Sequence, residues 1–259
     1  KNRYYAIVLL GFSGLLIWYW LGHTPPGLDG KINSIGYTVC HQMASHSFQI
    51  GKKQFPICSR CTGMYLGVFT GGMALLSQRK KLILPTRKQL YLFGAFVLMW
   101  ILDGINSFLS GLPGKHNLYQ PNNILRFLTG FGMGLCVAVT VYFLFNYVVW
   151  EKQEEPTDIR KTAWLQILSA GVIFLILVVW QNEIFMSILS YLSVMTIILL
   201  LILLHTIIWI LILGKENSFI KPNELALVAN AGFNSALVQV ILLDALRLVT
   251  SGSWAILVK

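Results

Sequence analysis

The sequence predicts an all-α, polytopic integral membrane protein. Hydrophobic residues make up 56% of the 259 residues, charged residues only 12%, and the mean hydropathy is +0.66. Soluble domains carry about twice that share of charged residues. A bilayer is crossed by about 20 consecutive apolar residues, and the chain contains seven stretches of this kind. We therefore expect about seven transmembrane helices in a single domain over residues 1–259.

The expected spans are set by the apolar stretches and the turn residues between them. The sixth expected span is about thirty residues long, which is longer than a bilayer requires, so this helix must tilt, protrude or break. The spans cover residues 4–22, 57–77, 90–110, 123–149, 163–181, 184–213 and 224–249.

The long loop over residues 23–56 is expected to carry part of a functional site. It begins with prolines and a glycine, which predict a turn. Ile32, Ile35, Val39 and Met43 then recur at helical spacing, which predicts a short amphipathic helix on the bilayer surface. Cys40 and His41 would lie on that helix.

The basic residues predict the orientation of the chain. A net charge of +10 can indicate nucleic-acid binding, but here Lys and Arg lie mainly in short loops, so topology explains them and no nucleic-acid partner is expected. Because such loops face the cytoplasm, we expect a cell-membrane protein with a cytoplasmic N-terminus and an extracytoplasmic 23–56 loop. The basic loop residues after the second, fourth and sixth spans are Arg79, Lys80, Lys81, Arg87, Lys88, Lys152, Arg160, Lys161, Lys215 and Lys221.

The stretch 40–67 contains three of the four cysteines and two of the five histidines. Cys58 and Cys61 form a C-x-x-C motif after Pro56, which predicts both thiols in the first turn of the second span. The free N–H groups at a helix N-terminus favour the thiolate, the form that binds metals. With the upstream cysteine and histidine, this set has enough soft ligands for one tetrahedral zinc ion. The predicted ligands are Cys40, His41, Cys58 and Cys61.

Other interpretations of the same residues stay open. Adjacent residues seldom bind one metal together, so His46 is a rival to His41 for the fourth position. A Cys58–Cys61 disulfide with Cys40 as its exchange partner is an alternative outside the cell, where thiols oxidise. Inert structural cysteines are the third possibility.

Charged residues inside the predicted spans lie at one level, near the outer helix ends. Charge in hydrocarbon requires a partner or a wet cavity, so this shared depth predicts a polar chamber facing outwards. For Arg126 and Arg247, extension of the side chain towards lipid headgroups is the simpler alternative. Glycines spaced four apart in the second and fourth spans predict close helix packing. The predicted catalytic residues are Arg60, Asp103, Arg126 and Asp244.

The motifs around these residues resemble a family of prokaryotic predicted membrane proteins catalogued as a domain of unknown function. The resemblance covers roughly residues 35–135. It implies which residues matter, but it implies no particular activity. One departure is visible: Ser45-His46 stands where the family pattern has an acidic residue and an arginine. The matching residues are Cys40-His41-Gln42, Ser47-Phe48, Gly51, Pro56 to Gly63, Tyr65, Gly67, Asp103-Gly104, Asn123, Arg126 and Thr129-Gly130.

Three functions fit these patterns. The first is an enzyme acting on a lipid or lipid-linked anionic substrate, with a metal at the chamber mouth, an aspartate as general base, and arginines holding the anion. The second is a thiol–disulfide oxidoreductase that passes electrons from Cys58 and Cys61 to a membrane quinone. The third is a transporter or receptor in which the metal is structural.

Overall fold

The computed structural model describes residues 2–78, 81–112, 117–152, 154–252 and 254. Two of the basic residues that predict the orientation, Arg79 and Lys80, lie outside these ranges. The described chain contains the helices α1 (Asn2–His23), α2 (Gly27–Val39), α3 (Ser59–Leu76), α4 (Arg87–Leu109), α5 (Asn123–Val149), α6 (Lys161–Trp180), α7 (Glu183–Ile212) and α8 (Ala226–Ser251). Four short strands are β1 (Gln49–Ile50), β2 (Lys53–Gln54), β3 (Lys81–Ile83) and β4 (Glu154–Thr157).

The all-α membrane fold is confirmed. Each of the seven predicted spans is a helix, and six helices in the described part of the chain are long and apolar enough to cross a membrane. The exception is α3, whose 18 residues include several polar ones. Because α5, α6 and α7 pack around it, α3 faces protein more than lipid and does not need a fully apolar surface.

Helix α7 shows how a long span is accommodated. Its 30 residues form one continuous helix, Glu183–Ile212, so of the three predicted outcomes a break is excluded. The Asn182 side chain caps the start by accepting hydrogen bonds from the N–H groups of Ile184 and Phe185, at 3.1 and 3.4 Å.

Helix α2 confirms the predicted short helix but is shorter than expected. It ends at Val39, so Cys40, His41 and Met43 do not lie on it, and the prediction that Cys40 and His41 are helical is wrong. Cys40 has extended backbone angles of φ −131° and ψ 143°. The chain therefore leaves the helix just before Cys40, and the Cys40 side chain turns towards the start of α3, where its sulfur accepts a hydrogen bond from the Cys58 N–H.

The glycines of α3 and α5 hold these helices in close contact, as predicted. A Cβ atom on Gly63 or Gly67 would overlap the carbonyl oxygen of Phe127 or Phe131, and one on Gly134 would overlap that of Met64. Only glycine permits this separation of the two backbones. The contact fixes the start of α3 against the start of α5.

The loops gather at two ends of the bundle. At one end, the β1–β2 hairpin turns at Gly51 (φ +57°) and lies beside the start of α7. We refer to this as the cysteine end, because Cys40, Cys58 and Cys61 lie there. At the other, the strand end, β3 pairs with β4 in parallel and Trp150 bridges to Phe219.

Candidate functional site

Three thiols meet at the cysteine end and form what we term the cysteine cluster. The sulfur atoms of Cys40, Cys58 and Cys61 all lie within 4.8 Å of one another. Cys40 and Cys58 are buried and Cys61 is half-buried. Cys40 comes from the segment after α2, whereas the other two lie at the start of α3. The cluster therefore joins the loop to the second span.

The backbone around Cys40 is arranged to support its sulfur. Cys40 Sγ accepts hydrogen bonds from the N–H groups of Gln42, at 3.4 Å, and Cys58, at 3.1 Å. Gln42 has a left-handed backbone (φ +53°), an uncommon conformation for a residue with a side chain. Its buried amide donates to the carbonyl groups of Asn33 and Pro56, at 3.1 and 2.7 Å. Gln42 thus holds the end of α2 against the segment that leads into α3.

Cys58 is the N-cap residue of α3, one position before the first turn where the sequence predicted it, and Cys61 lies in that turn. Hydrogen bonds from the thiols of Cys40 and Cys61, together with the backbone N–H of Cys61, lower the pKa of Cys58 well below its ordinary value. The position at a helix N-terminus acts in the same direction. Both effects favour the thiolate form of Cys58 over the thiol.

The two histidines of this region lie beside each other. The ring centroids of His41 and His46 are 5.5 Å apart. His41 is exposed, and its Nδ1 accepts a hydrogen bond from the Met43 N–H at 3.2 Å. Burial and the charge of Arg126 lower the pKa of His46 to about 4, so its imidazole is neutral at pH 7. Among the described residues no histidine nitrogen joins the three sulfurs within 4.8 Å, and ligation by His41 stays a prediction.

Asp103 and Arg60 form an ion pair between α4 and α3. Arg60 Nε donates to Asp103 Oδ2 at 3.0 Å, and its Nη2 contacts the same oxygen. The hydroxyl of Tyr119 donates to Asp103 Oδ1 at 2.8 Å, and Thr129 donates to Oδ2 at 3.5 Å. Burial, together with the bond to Asp103, raises the pKa of Tyr119 to about 12 and keeps its proton in place. Both carboxylate oxygens of Asp103, which is 1% exposed, are thus hydrogen-bonded.

Arg126 enters the same region from α5 but has different partners. Its Nη1 donates to Asn123 Oδ1 at 2.9 Å and to the Ser45 carbonyl at 3.4 Å, and its Nε donates to Ser107 Oγ at 3.4 Å. Ser107 also accepts from Arg60, at 3.1 Å, and so joins the two arginines. The Arg126 residue is 5% exposed. Within the described ranges no carboxylate lies within ion-pair distance of it.

Asp244 and Arg247 lie on α8 and contact α2. Asp244 Oδ2 accepts from the Ser34 hydroxyl at 3.2 Å, and Oδ1 is buried without a partner in the described part of the chain. Arg247 donates to the carbonyl oxygens of Tyr37 and Cys40, and to that of His41 at 3.2 Å. Its guanidinium lies 4.0 Å from the Tyr37 ring centroid. Arg247 thus caps the C-terminal end of α2 and does not extend to lipid headgroups.

The predicted site residues therefore fall into two groups. One hydrogen-bonded network contains Arg60, Asp103 and Arg126. Arg60 lies between Cys58 and Cys61 in the sequence, which ties this network to the start of α3. Asp244, in contrast, is hydrogen-bonded to Ser34 of α2. Sequence reasoning missed Tyr119, because nothing in the loop before α5 marks it. Sequence reasoning also gave no role to Gln42. Its place in the Cys40-His41-Gln42 motif is the signal that could have identified it.

The cysteine cluster fits a metal ion by its donor set. Zinc–sulfur bonds of about 2.3 Å place tetrahedral sulfurs roughly 3.8 Å apart, which is compatible with three sulfurs that lie within 4.8 Å of one another. The two N–H groups that donate to Cys40 Sγ would orient this sulfur towards a bound ion. Three protein ligands leave a fourth position for a histidine, water or substrate.

Fold and site together define a multi-pass membrane protein with a three-cysteine cluster that could hold a metal ion. The chain belongs to the family described as "Predicted membrane protein (DUF2085)", which matches residues 40–140. An uncharacterized protein of Methanothermobacter thermautotrophicus is 32% identical over 111 residues, 43% of this chain and 91% of that protein. Uncharacterized protein MJ1492 of Methanocaldococcus jannaschii is 28% identical over 164 residues, 58% of this chain and 98% of that protein. No solved structure matches the chain.

Proposed function

We propose that this protein is a zinc-dependent membrane enzyme acting on a lipid or lipid-linked anionic substrate. The ion would be held by Cys40, Cys58 and Cys61 on the extracytoplasmic side of the cell membrane, with His41 or His46 as a possible fourth ligand. Arg126 would hold the anionic group of the substrate. The observation that carries the proposal is that three sulfur atoms meet within 4.8 Å at the same end of the bundle as a buried arginine that has no acidic partner in the described ranges.

The anion-binding role rests on the charge balance around Arg126. A buried positive charge is costly unless an opposite charge compensates it. Asp103 is already paired with Arg60, and the groups bonded to Arg126 are neutral oxygens from Asn123, Ser45 and Ser107. A phosphate group would supply the missing negative charge and accept hydrogen bonds from a planar guanidinium.

The remaining residues have supporting roles in this proposal. Bound zinc would act as a Lewis acid or activate a nucleophile. Asp103 holds Arg60 at the first turn of α3, which fixes the guanidinium beside Ser107 and Arg126. Asp244, the other candidate base, has a free oxygen but is bonded to Ser34 on α2, so it would act only if the substrate reaches that side of the cysteine cluster.

Metal content tests the first part of the proposal. We expect about one zinc per chain in protein purified without chelator, measured by inductively coupled plasma mass spectrometry. Cys58→Ser should lose most of it, whereas Cys136→Ser, which alters a cysteine of α5 outside the cluster, should retain it. Metal-free wild-type protein, or equal zinc in both variants, would refute the metal site.

Anion binding tests the second part. We expect inorganic phosphate and dihexanoyl phosphatidic acid to raise the melting temperature of the wild type, and Arg126→Gln to abolish the shift. Lys53→Gln is the matched control, because Lys53 is an exposed cation at the same end, paired with Asp29 at 2.7 Å. Equal shifts in wild type and Arg126→Gln would exclude Arg126 as the anion-binding group.

A thiol–disulfide oxidoreductase is the second candidate, favoured by the low pKa of Cys58 next to two further thiols. Counting alkylated thiols by mass spectrometry separates the two functions. Zinc-bound cysteines react after chelation alone, whereas a disulfide reacts only after reduction. Modification of Cys40, Cys58 and Cys61 by chelator without reductant would favour the metal, and modification that needs reductant would favour exchange.

A further inference from the structure

A second site lies in the other half of the bundle. A cavity of about 700 Å³ lies between α3, α5 and α7, within the range of small-molecule sites. Its wall includes Gly72 and Leu76 of α3, Tyr142 and Asn146 of α5, and Thr196 of α7. Pro222 lies at its rim towards the strand end. The cysteine cluster, at the opposite end of α3, does not contribute to it.

The cavity lies beside the glycine contact between α3 and α5. A Cβ atom on Gly71 would come 2.7 Å from the Ala138 side chain, so the two helices touch there. Gly72, the next residue, points to a different face of α3, where a Cβ atom would meet no heavy atom within 4 Å. Gly72 and Ala138 both line the cavity, so open space adjoins the close helix contact.

The surroundings determine what can fill this space. Most of the wall is aliphatic or aromatic, which disfavours water. Met73, Leu76 and Leu199 line the cavity and are more than half exposed on the surface of spans, so the cavity opens sideways towards the lipid. A hydrocarbon chain can enter from the bilayer, and it replaces the dispersion contacts that an empty cavity lacks.

The charge of the strand end selects the headgroup. The loops over residues 77–88, 150–161 and 213–225 contain ten Lys and Arg against six Asp and Glu. Lys221 is exposed and precedes Pro222 at the cavity rim. Basic residues at a membrane surface attract anionic lipids.

We infer that this cavity binds one acyl chain of an anionic phospholipid from the leaflet at the strand end. The headgroup of that lipid lies near Lys221. This lipid is distinct from a substrate at Arg126, which lies at the cysteine end, and its binding does not depend on the proposed enzymatic function.

Native mass spectrometry tests the inference with phosphatidylglycerol and phosphatidylcholine as probes. The protein is reconstituted into vesicles with equal amounts of both lipids, extracted in mild detergent and weighed with its retained lipid. We expect one retained phospholipid per chain, mainly phosphatidylglycerol. Gly72→Leu, which places a side chain into the open space, should reduce retention roughly tenfold, because about two methylene contacts of the chain are lost.

Gly94→Leu is the matched control. Gly94 is a helical glycine of α4, exposed on the surface, and it also has no heavy atom near a Cβ position. It should retain lipid like the wild type. Gly72→Ala adds only one methyl group and should reduce lipid retention by a smaller factor. This variant replaces Gly72→Leu in the test if Gly72→Leu does not fold. Lys221→Gln should reduce the preference for phosphatidylglycerol while phosphatidylcholine retention stays constant.

The inference is overturned if folded Gly72→Leu, or Gly72→Ala when Gly72→Leu does not fold, retains as much lipid as the wild type. Equal retention of the two lipids by the wild type would overturn its headgroup part. Zinc content, measured in the same samples, reports on the cysteine end separately. If a Gly72 variant loses lipid while its zinc content is unchanged, the result supports lipid binding in the cavity. If the protein contains no zinc but retains lipid normally, the result contradicts only the proposed function.

Discussion

Two groups of charged side chains lie at the cysteine end and use the same residue types differently. In the first, Asp103 of α4 is paired directly with Arg60 of α3. In the second, Asp244 and Arg247 are three residues apart on α8, but the acid accepts from Ser34 and the arginine donates to backbone carbonyl groups. An acid and an arginine at the same depth therefore do not imply an ion pair. The first group fixes helices to each other, and the second holds the end of α2.

The largest effect is expected for Asp103→Leu, which removes the acid of the first group. It leaves the Arg60 charge without a carboxylate and breaks the bonds from Tyr119 and Thr129. Removing one partner of a buried pair costs about 3–5 kcal/mol. The free energy of unfolding in detergent, measured by denaturant titration, checks this loss.

The double variant Asp103→Leu/Arg60→Met sharpens the same test. Because it removes both charges, it should recover most of the stability lost in the single variant. If Asp103→Leu costs less than about 1 kcal/mol, the ion pair does not hold α3 to α4 and the contrast with α8 disappears.

A smaller effect is expected for Arg247→Ala in the second group. The variant removes three hydrogen bonds to the carbonyl end of α2 and the contact with the Tyr37 ring, for a loss of about 1–2 kcal/mol. Since Cys40 follows α2 directly, its alkylation rate after chelation should rise. Lys53→Ala, in an exposed pair of the same region, should change neither stability nor rate appreciably. A rate equal to that of the wild type would show that Arg247 does not hold Cys40.

The smallest effect is expected for Asp244→Asn. The substitution keeps an acceptor for the Ser34 hydroxyl and removes an acid that has no cationic partner within ion-pair distance in the described ranges. Stability should change by less than about 1 kcal/mol, in either direction. A loss above about 2 kcal/mol would reveal an ionic role for Asp244 and make the two groups alike.

The helices were predictable because the bilayer imposes a length and an apolar surface on each span. The fourth predicted span, 123–149, coincides with α5, Asn123–Val149. The sixth predicted span forms one continuous helix, which agrees with the prediction that it tilts or protrudes if it does not break. Glycine spacing also predicted that α3 and α5 pack closely, although not that each is the other's partner, because only a residue without Cβ permits that approach. These features depend on local sequence alone.

The end of α2 and the details of the site were not predictable in the same way. Helical spacing continued through Met43, yet the helix ends at Val39, because Cys40 turns to reach Cys58 and Arg247 binds the end of the helix. Those partners are distant in sequence. Tyr119 is likewise recognisable only once α4 and α5 are in place.

The contact between Arg247 and the Cys40 carbonyl spans 207 positions of the chain. Membrane proteins are synthesised from the N-terminus, and segments of the chain fold in that order. Cys40, Cys58 and Cys61 therefore emerge early, and the bonds of Gln42 to Asn33 and Pro56 need only residues made at that stage. The bonds from Arg247 to the Cys40 segment form only after α8 has been made.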